Sequence, residues 1–160
     1  MRILVLNGPN LNRLGTRQPD VYGTDTLDDI HAALQNAAGD DVEIDGRQTN
    51  HEGDLVGWLH EAADTGSPVI LNAGALTHTS VALHDAIAIV IETGTPVVEV
   101  HLSNPHRREA FRQVNFVASA VTGSVTGFGL GSYLAALTAI QHAARPGRRG
   151  GAPSHATATR

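Results

Sequence analysis

The apolar positions of the chain fall into short runs that alternate between two periods. Ile3-Leu4-Val5-Leu6 is an unbroken aliphatic run closed by Asn7-Gly8-Pro9-Asn10, the pattern of a buried strand ending in a turn. Residues 42–47 alternate and read as a second strand, and 68–72, 97–102 and 124–126 supply three more. Between the strands the period becomes helical. Leu27, Ile30, Ala33, Leu34 and Ala37 share one face behind a Thr26 cap, with Asp28 and Asp29 in the first turn and Gly39 as the stop. Leu55, Val56, Leu59, Ala62 and Ala63 mark a helix over 52–64 that Gly66 ends. Thr79 or Ser80 caps a third helix that runs to Ile91. Residues 105–113 read as a short polar helix, and 133–144 as a last helix rich in Ala and Leu.

This alternation of strand and helix points to an α/β fold with a parallel sheet covered on both faces. Five strands fit the flavodoxin-like order 2-1-3-4-5, whereas the paired halves of a dinucleotide-binding sheet need about six. Ligands of such sheets lie beyond the carboxyl ends of the strands. The loops to watch are therefore 7–25, 48–52, 72–80, 101–108 and 127–132. The first is long and carries glycine and proline, as functional lids and cradles do. One catalytic domain is expected over 1–144, followed by a disordered Gly-, Pro- and Arg-rich tail over 145–160. An anion-binding role for Arg145, Arg148 and Arg149 is the other reading of that tail.

Composition narrows the chemistry. The chain has 160 residues, and all 11 of its Lys+Arg residues are arginine; there is no cysteine either. Schiff-base chemistry through a lysine, a P-loop lysine, a thiol nucleophile and a Cys-ligated zinc site are all excluded. A net charge of -5 argues against general nucleic-acid binding. The N-terminal apolar run is too short for a signal peptide, and no stretch approaches a membrane span. No membrane partner and a cytoplasmic location are expected.

Polar residues gather where the fold expects a site: Asn7, Asn10, Asn12, Arg13, Arg17 and Tyr22 after strand 1; Asn72, Thr77, His78, Thr79 and Ser80 after strand 3; Glu99, His101, Ser103 and Asn104 around the end of strand 4; then Arg107, Arg108 and Arg112. Glu99 and His101 are two apart on a strand and so point to one face, where a carboxylate can orient an imidazole as a proton donor; the same spacing fits a buried salt pair. Tyr22 shares its loop with Arg17, whose charge stabilises a phenolate and can make tyrosine a base, unless Tyr22 only packs the loop. Arg112, His78 and Asn72 suit a small, oxygen-rich anion. Asn7-Gly8-Pro9-Asn10 is also compatible with a phosphate cradle, although no GxGxxG or P-loop spacing accompanies it. His51-Glu52 lacks an evident third metal ligand, so no metal site is expected.

Several longer motifs carry a family resemblance: Leu6-Asn7-Gly8-Pro9-Asn10-Leu11-Asn12, Leu14-Gly15-Thr16-Arg17, Tyr22-Gly23, Gln48-Thr49-Asn50-His51-Glu52-Gly53, Leu76-Thr77-His78-Thr79-Ser80-Val81-Ala82-Leu83 and Glu99-Val100-His101-Leu102-Ser103-Asn104. Together they resemble the type II 3-dehydroquinate dehydratases over residues 3–142. The resemblance implies a flavodoxin-like fold, a dodecamer built as a tetramer of trimers, and a shikimate-pathway reaction without a cofactor. That reaction is the anti elimination of water from 3-dehydroquinate, through an enolate, to give 3-dehydroshikimate. It further implies Tyr22 as base with Arg17 lowering its pKa, His101 as acid with Glu99 orienting it, and Asn10 holding a water near the enolate oxygen. Asn72, His78, Ser103, the backbone of Leu102 and Arg112 correspond to substrate-binding positions, and Asp85 to an aspartate that reaches a neighbouring subunit's site. The absence of lysine matters again here, because the same dehydration can run through a lysine imine in an unrelated enzyme type. The chain departs from the family pattern at Ala73, His84, Gln113-Val114-Asn115, Ala118-Ser119 and Gly131-Ser132. A flavodoxin-like nucleotide- or phosphate-binding module, or an inactive homologue, are the competing functional readings.

Overall fold

The computed structural model describes residues 1–16 and 24–143. Its five strands are β1 (Arg2–Asn7), β2 (Glu43–Gln48), β3 (Val69–Asn72), β4 (Val97–His101) and β5 (Gly123–Thr126). The main helices are α1 (Leu27–Ala38), α2 (Glu52–Thr65), α3 (Val81–Glu92) and α4 (Gly131–Ala143). Every strand pairing is parallel, and the order is β2-β1-β3-β4-β5, the flavodoxin-like arrangement expected from the alternation. The chain passes from β1 to β2 on one side and then crosses to β3 on the other side of β1, so a crevice opens at their carboxyl ends where the order reverses.

The two-residue repeat of β1 builds two cores at once. Ile3 and Val5 pack with Ile30 and Leu34 of α1 and with Leu137 and Ile140 of α4. Leu4 and Leu6 face the other way, onto Leu55 and Leu59 of α2 and Leu83, Ile87 and Val90 of α3. Each such fully buried aliphatic side chain contributes about 1.5–3 kcal/mol. The edge strand β2 is only partly covered.

Local signals set the helix ends. Thr26 and Asp29 form a reciprocal capping box, Ser80 rather than Thr79 caps α3, and Gly66 closes α2 in the left-handed conformation. Three expectations need correction. Ala38, not Ala37, completes the buried face of α1, because 30, 34 and 38 keep to the stripe that 37 leaves. Residues 105–113 do not form one helix but two short 3₁₀ turns, Pro105–Arg107 and Ala110–Gln113, separated by extended backbone at Arg108 and Glu109. That segment has no apolar face to offset the cost of nucleating an α-helix. α4 starts two residues before the expected 133, at Gly131. The expected tail, 145–160, lies outside the described residues.

Arg2, Asp45, Arg47 and Glu61 knit β1, β2 and α2 together. Arg47 Nη1 bonds Glu61 Oε2 at 2.6 Å, Arg2 Nη2 bonds Glu61 Oε1 at 2.8 Å, and both arginines bond Asp45. Hydrogen bonds from Arg47, with those from Arg2 behind them, hold the Asp45 and Glu61 carboxyls below their ordinary range despite some desolvation. A folded pKa below the unfolded one means stabilisation that is present above the unfolded pKa and lost as pH falls through the folded value. Thermal melts should therefore lose Tm as the pH is taken below about 4, and an Asp45→Asn/Glu61→Gln double variant should lose less over the same interval. Parallel pH profiles of the two proteins would refute the assignment.

Candidate functional site

The loops after β1 and β3 meet backbone to backbone at the crevice. A Cβ on Gly8 would sit 2.5 Å from the carbonyl oxygen of Ala73, and one on Gly74, whose φ is +59°, would sit 3.0 Å from that of Pro9. Only glycine permits this approach. The contact brings Asn10 over the site. Asn10 adopts φ 69°, a left-handed conformation that asparagine tolerates, and its backbone N–H donates to Asn50 Oδ1 at 2.8 Å.

Beneath these loops lies a buried polar knot. Tyr133, wholly buried in the first turn of α4, donates its hydroxyl to Asn7 Oδ1 at 2.7 Å and accepts from Asn72 Nδ2 at 2.9 Å. Asn72 Oδ1 in turn accepts from the N–H of Gly74 at 3.2 Å. Burial drives the Tyr133 hydroxyl far above its ordinary value, partly opposed by the Asn72 bond, so it is a structural donor and not a base. Asn72 is thus turned into the protein, with its carbonyl and one amide hydrogen already used. Tyr133→Phe should lower stability by about 1–3 kcal/mol in denaturant titration, since it strands two buried amide groups. A change below about 0.5 kcal/mol would show that the knot is not needed.

Glu99 and His101 share one face of β4, as their spacing requires. Glu99 is wholly buried, and its Oε1 lies 2.8 Å from His101 Nε2. Oε1 also accepts from Asn115 Nδ2 at 2.9 Å, and Oε2 from the Ser124 hydroxyl at 2.7 Å. Burial pushes the Glu99 carboxyl up, but the bonds from His101, Ser124 and Asn115 outweigh it and leave the group below its ordinary value. A charged carboxylate only accepts, so His101 holds a proton on Nε2 and no described residue bonds its Nδ1. The pair is the buried carboxylate–imidazole couple that the spacing allowed, and it borders a pocket.

That pocket is lined by Asn10, His78, His101, Ser103, Arg108 and Arg112, with apolar walls from Leu11, Leu14 and Pro105. His78 donates Nδ1–H to the carbonyl of Val114 at 2.6 Å, which leaves Nε2 as an acceptor in the neutral ring. Arg112 is steered by Glu109, whose Oε2 accepts from its Nε at 2.9 Å, and its guanidinium also lies over the Phe111 ring. Five of the expected site residues, Asn10, His78, His101, Ser103 and Arg112, therefore converge on one pocket. Glu99 and Asn72 stand behind it. Leu102 buries its side chain in the core while its carbonyl accepts from Gly129 N–H at 2.9 Å. Asp85 is exposed on α3, away from the pocket lining. Arg17 and Tyr22 lie outside the described residues.

Asn115, Ser124 and Tyr133 escaped the sequence reading. Ser124 is legible in hindsight, because parallel pairing sets it opposite Glu99 in the register. Asn115 and Tyr133 carry no local signal. Among the described residues no group of three or more His, Asp or Glu side chains could hold a metal ion, and no helix is long and apolar enough to cross a membrane.

An imidazole oriented by a buried carboxylate, beside two arginines and several neutral donors, can give a proton to or take one from a small anion. Comparison with known proteins identifies the family. Residues 1–141 match the family model described as dehydroquinase class II. A 3-dehydroquinate dehydratase of Hyphomonas neptunium is 57% identical over 137 residues, covering 86% of this chain and 90% of that protein. One from Brucella abortus is 49% identical over 150 residues, covering 93% and 94%. The crystal structure of a type II dehydroquinase from Propionibacterium acnes superposes with a TM-score of 0.81 at 44% identity, covering 88% of this chain and 96% of that one. One from Butyrivibrio crossotus gives 0.83 at 35% identity, covering 88% and 97%.

Proposed function

The chain belongs to the dehydroquinase class II family, enzymes of the 3-dehydroquinate dehydratase type, and from that premise we propose that it converts 3-dehydroquinate to 3-dehydroshikimate by anti elimination through an enolate. The observation that carries this reading is the Glu99–His101 couple, 2.8 Å apart at the edge of a pocket with Asn10, His78, Ser103 and Arg112. Arg112 grips the substrate carboxylate, while His78, Ser103 and the Leu102 backbone bind its oxygens and Asn72 adds the one amide hydrogen that Tyr133 does not take. The Tyr22 phenolate, favoured by Arg17, takes the proton next to the ketone, and the C–H electron pair becomes an enolate. Asn10 holds a water whose hydrogen bond stabilises that developing charge. The enolate then collapses to the conjugated enone, and His101, acting as the imidazolium that keeps its Nε2–H on Glu99, gives its Nδ1 proton to the departing hydroxyl on the opposite face and is left neutral. Water leaves, and no electron acceptor or cofactor is consumed.

The same reading assigns the catalytic work to one domain over 1–144, acting in the cytoplasm as a dodecamer, a tetramer of trimers. Val81, Asp85 and Ile89 recur at four-residue steps on the exposed side of α3, and the two apolar members are 54% and 46% exposed. An apolar stripe around an exposed carboxylate suits a subunit contact through which Asp85 reaches a neighbour's site.

Mixing the purified protein with 3-dehydroquinate should produce the rising ultraviolet absorbance of the conjugated enone. No rise would favour an inactive homologue, and no rise together with tight flavin or nucleotide binding would favour a binding module.

A further inference from the structure

Of the three donors to Glu99, only the imidazole takes part in the reaction above. Asn115 reaches the carboxylate from outside the strand. It lies in the loop that follows the Arg112 turn, and its Nδ2 donates to Oε1, the oxygen that also accepts from His101. The sense of its amide is fixed by chemistry: Oδ1 accepts from the N–H of Ala118 at 2.7 Å, so the NH₂ end must face Glu99. The backbone on either side is fastened independently. Val114 O accepts from His78 at 2.6 Å, Phe116 N–H donates to Thr77 O at 2.9 Å, and Phe116 O accepts from His84 at 2.8 Å. Asn115 is thus flanked by backbone that the β3–α3 segment and α3 hold independently of Glu99.

A carboxylate at the end of three rotatable bonds has no preferred plane of its own. With Ser124 alone on Oε2, Glu99 and the imidazole could turn together about that single anchor. A second fixed donor on Oε1 removes this freedom, at an atom 2.8 Å from the ring nitrogen. We infer that Asn115 is a positioning residue for the general acid: it sets the plane of Glu99 and hence the direction in which His101 presents Nδ1 to the substrate, an inference that rests on the dehydratase reading above. Because the segment that carries Asn115 also carries Arg112, the same residue keeps the substrate's carboxylate grip and the acid in one frame.

The test is a double-mutant cycle read by steady-state kinetics on the full chain. Asn115→Ala should lower kcat roughly tenfold, the scale of a misdirected catalytic group, with KM changed by less than about threefold. In a Glu99→Gln background the same substitution should cost less than about twofold, since the carboxylate it aligns is gone. A merely structural role would move kcat equally in both backgrounds, and that result, or an unchanged kcat in the single variant, overturns the inference. Asn115→Asp keeps the shape and the bond from Ala118 while facing Glu99 with a second negative charge. Assayed at about pH 8, it should lose at least as much kcat, which keeps the test decisive if the alanine variant folds poorly. A wild-type protein without turnover would instead overturn the dehydratase reading, and this inference with it.

Discussion

Tyr22→Phe should abolish turnover, lowering kcat by about 10³–10⁴-fold while substrate still binds. The expectation follows from the family resemblance, and the residues at hand are compatible with it. Removing a proton next to a ketone near neutral pH needs a base whose conjugate acid is not too weak, and the chain offers neither lysine nor cysteine for it. Tyrosine serves only if a nearby positive charge stabilises its phenolate, and Arg17 stands five positions before it in the sequence. Phenylalanine keeps the ring and removes the oxygen, so the packing contribution survives and the base does not. Calorimetric titration should still detect 3-dehydroquinate binding, with an affinity within about tenfold of wild type, because the carboxylate grip proposed for Arg112 is untouched. A variant that turns over within tenfold of wild type would assign the base elsewhere. An Arg17→Met variant should share part of the loss, most severely at the acid end of the pH profile, where an unassisted phenol stays protonated.

His101→Ala should cost about 10³-fold in kcat, or about 4 kcal/mol of transition-state stabilisation. The hydroxyl that leaves is a poor leaving group unless protonated, and His101 is the proposed proton donor, with its ring orientation set by Glu99. Its Nε2 is committed to Glu99, and its other ring nitrogen is left for chemistry. Truncation also removes one of three donors from a wholly buried carboxylate. The variant should therefore melt lower than wild type even though His101 is itself 8% exposed at the end of its strand. Loss of kcat with substrate affinity retained supports the acid; equal loss of affinity and none of kcat would make His101 a binding residue instead.

The two expectations differ in how they were reached. Glu99 and His101 could be paired from the chain alone, because a strand repeats every two residues and local spacing is then spatial direction. Strand 1, the capping box at Thr26 and the parallel alternation were legible for the same reason: each depends on neighbours a few positions apart. Where a local rule was read too coarsely it failed by little. The buried stripe of α1 passes through Ala38 and not Ala37, and 105–113 splits into two turns because a polar segment lacks the face that would hold one helix together.

What the sequence by itself determined is the order of the elements, the edge of the sheet at which chemistry collects, and the residue types that must perform it. Tertiary structure alone decided what surrounds those residues. Asn115 meets a carboxylate 16 positions earlier, and Ser124 one 25 positions earlier. Tyr133 closes a bond to Asn7 across 126 positions and turns Asn72 inward as it does so. No periodicity encodes such meetings. They exist because the strand order lays β1 between β2 and β3 and because α4 returns across the sheet, so the partners are fixed by closure of the whole fold and not by any stretch of chain.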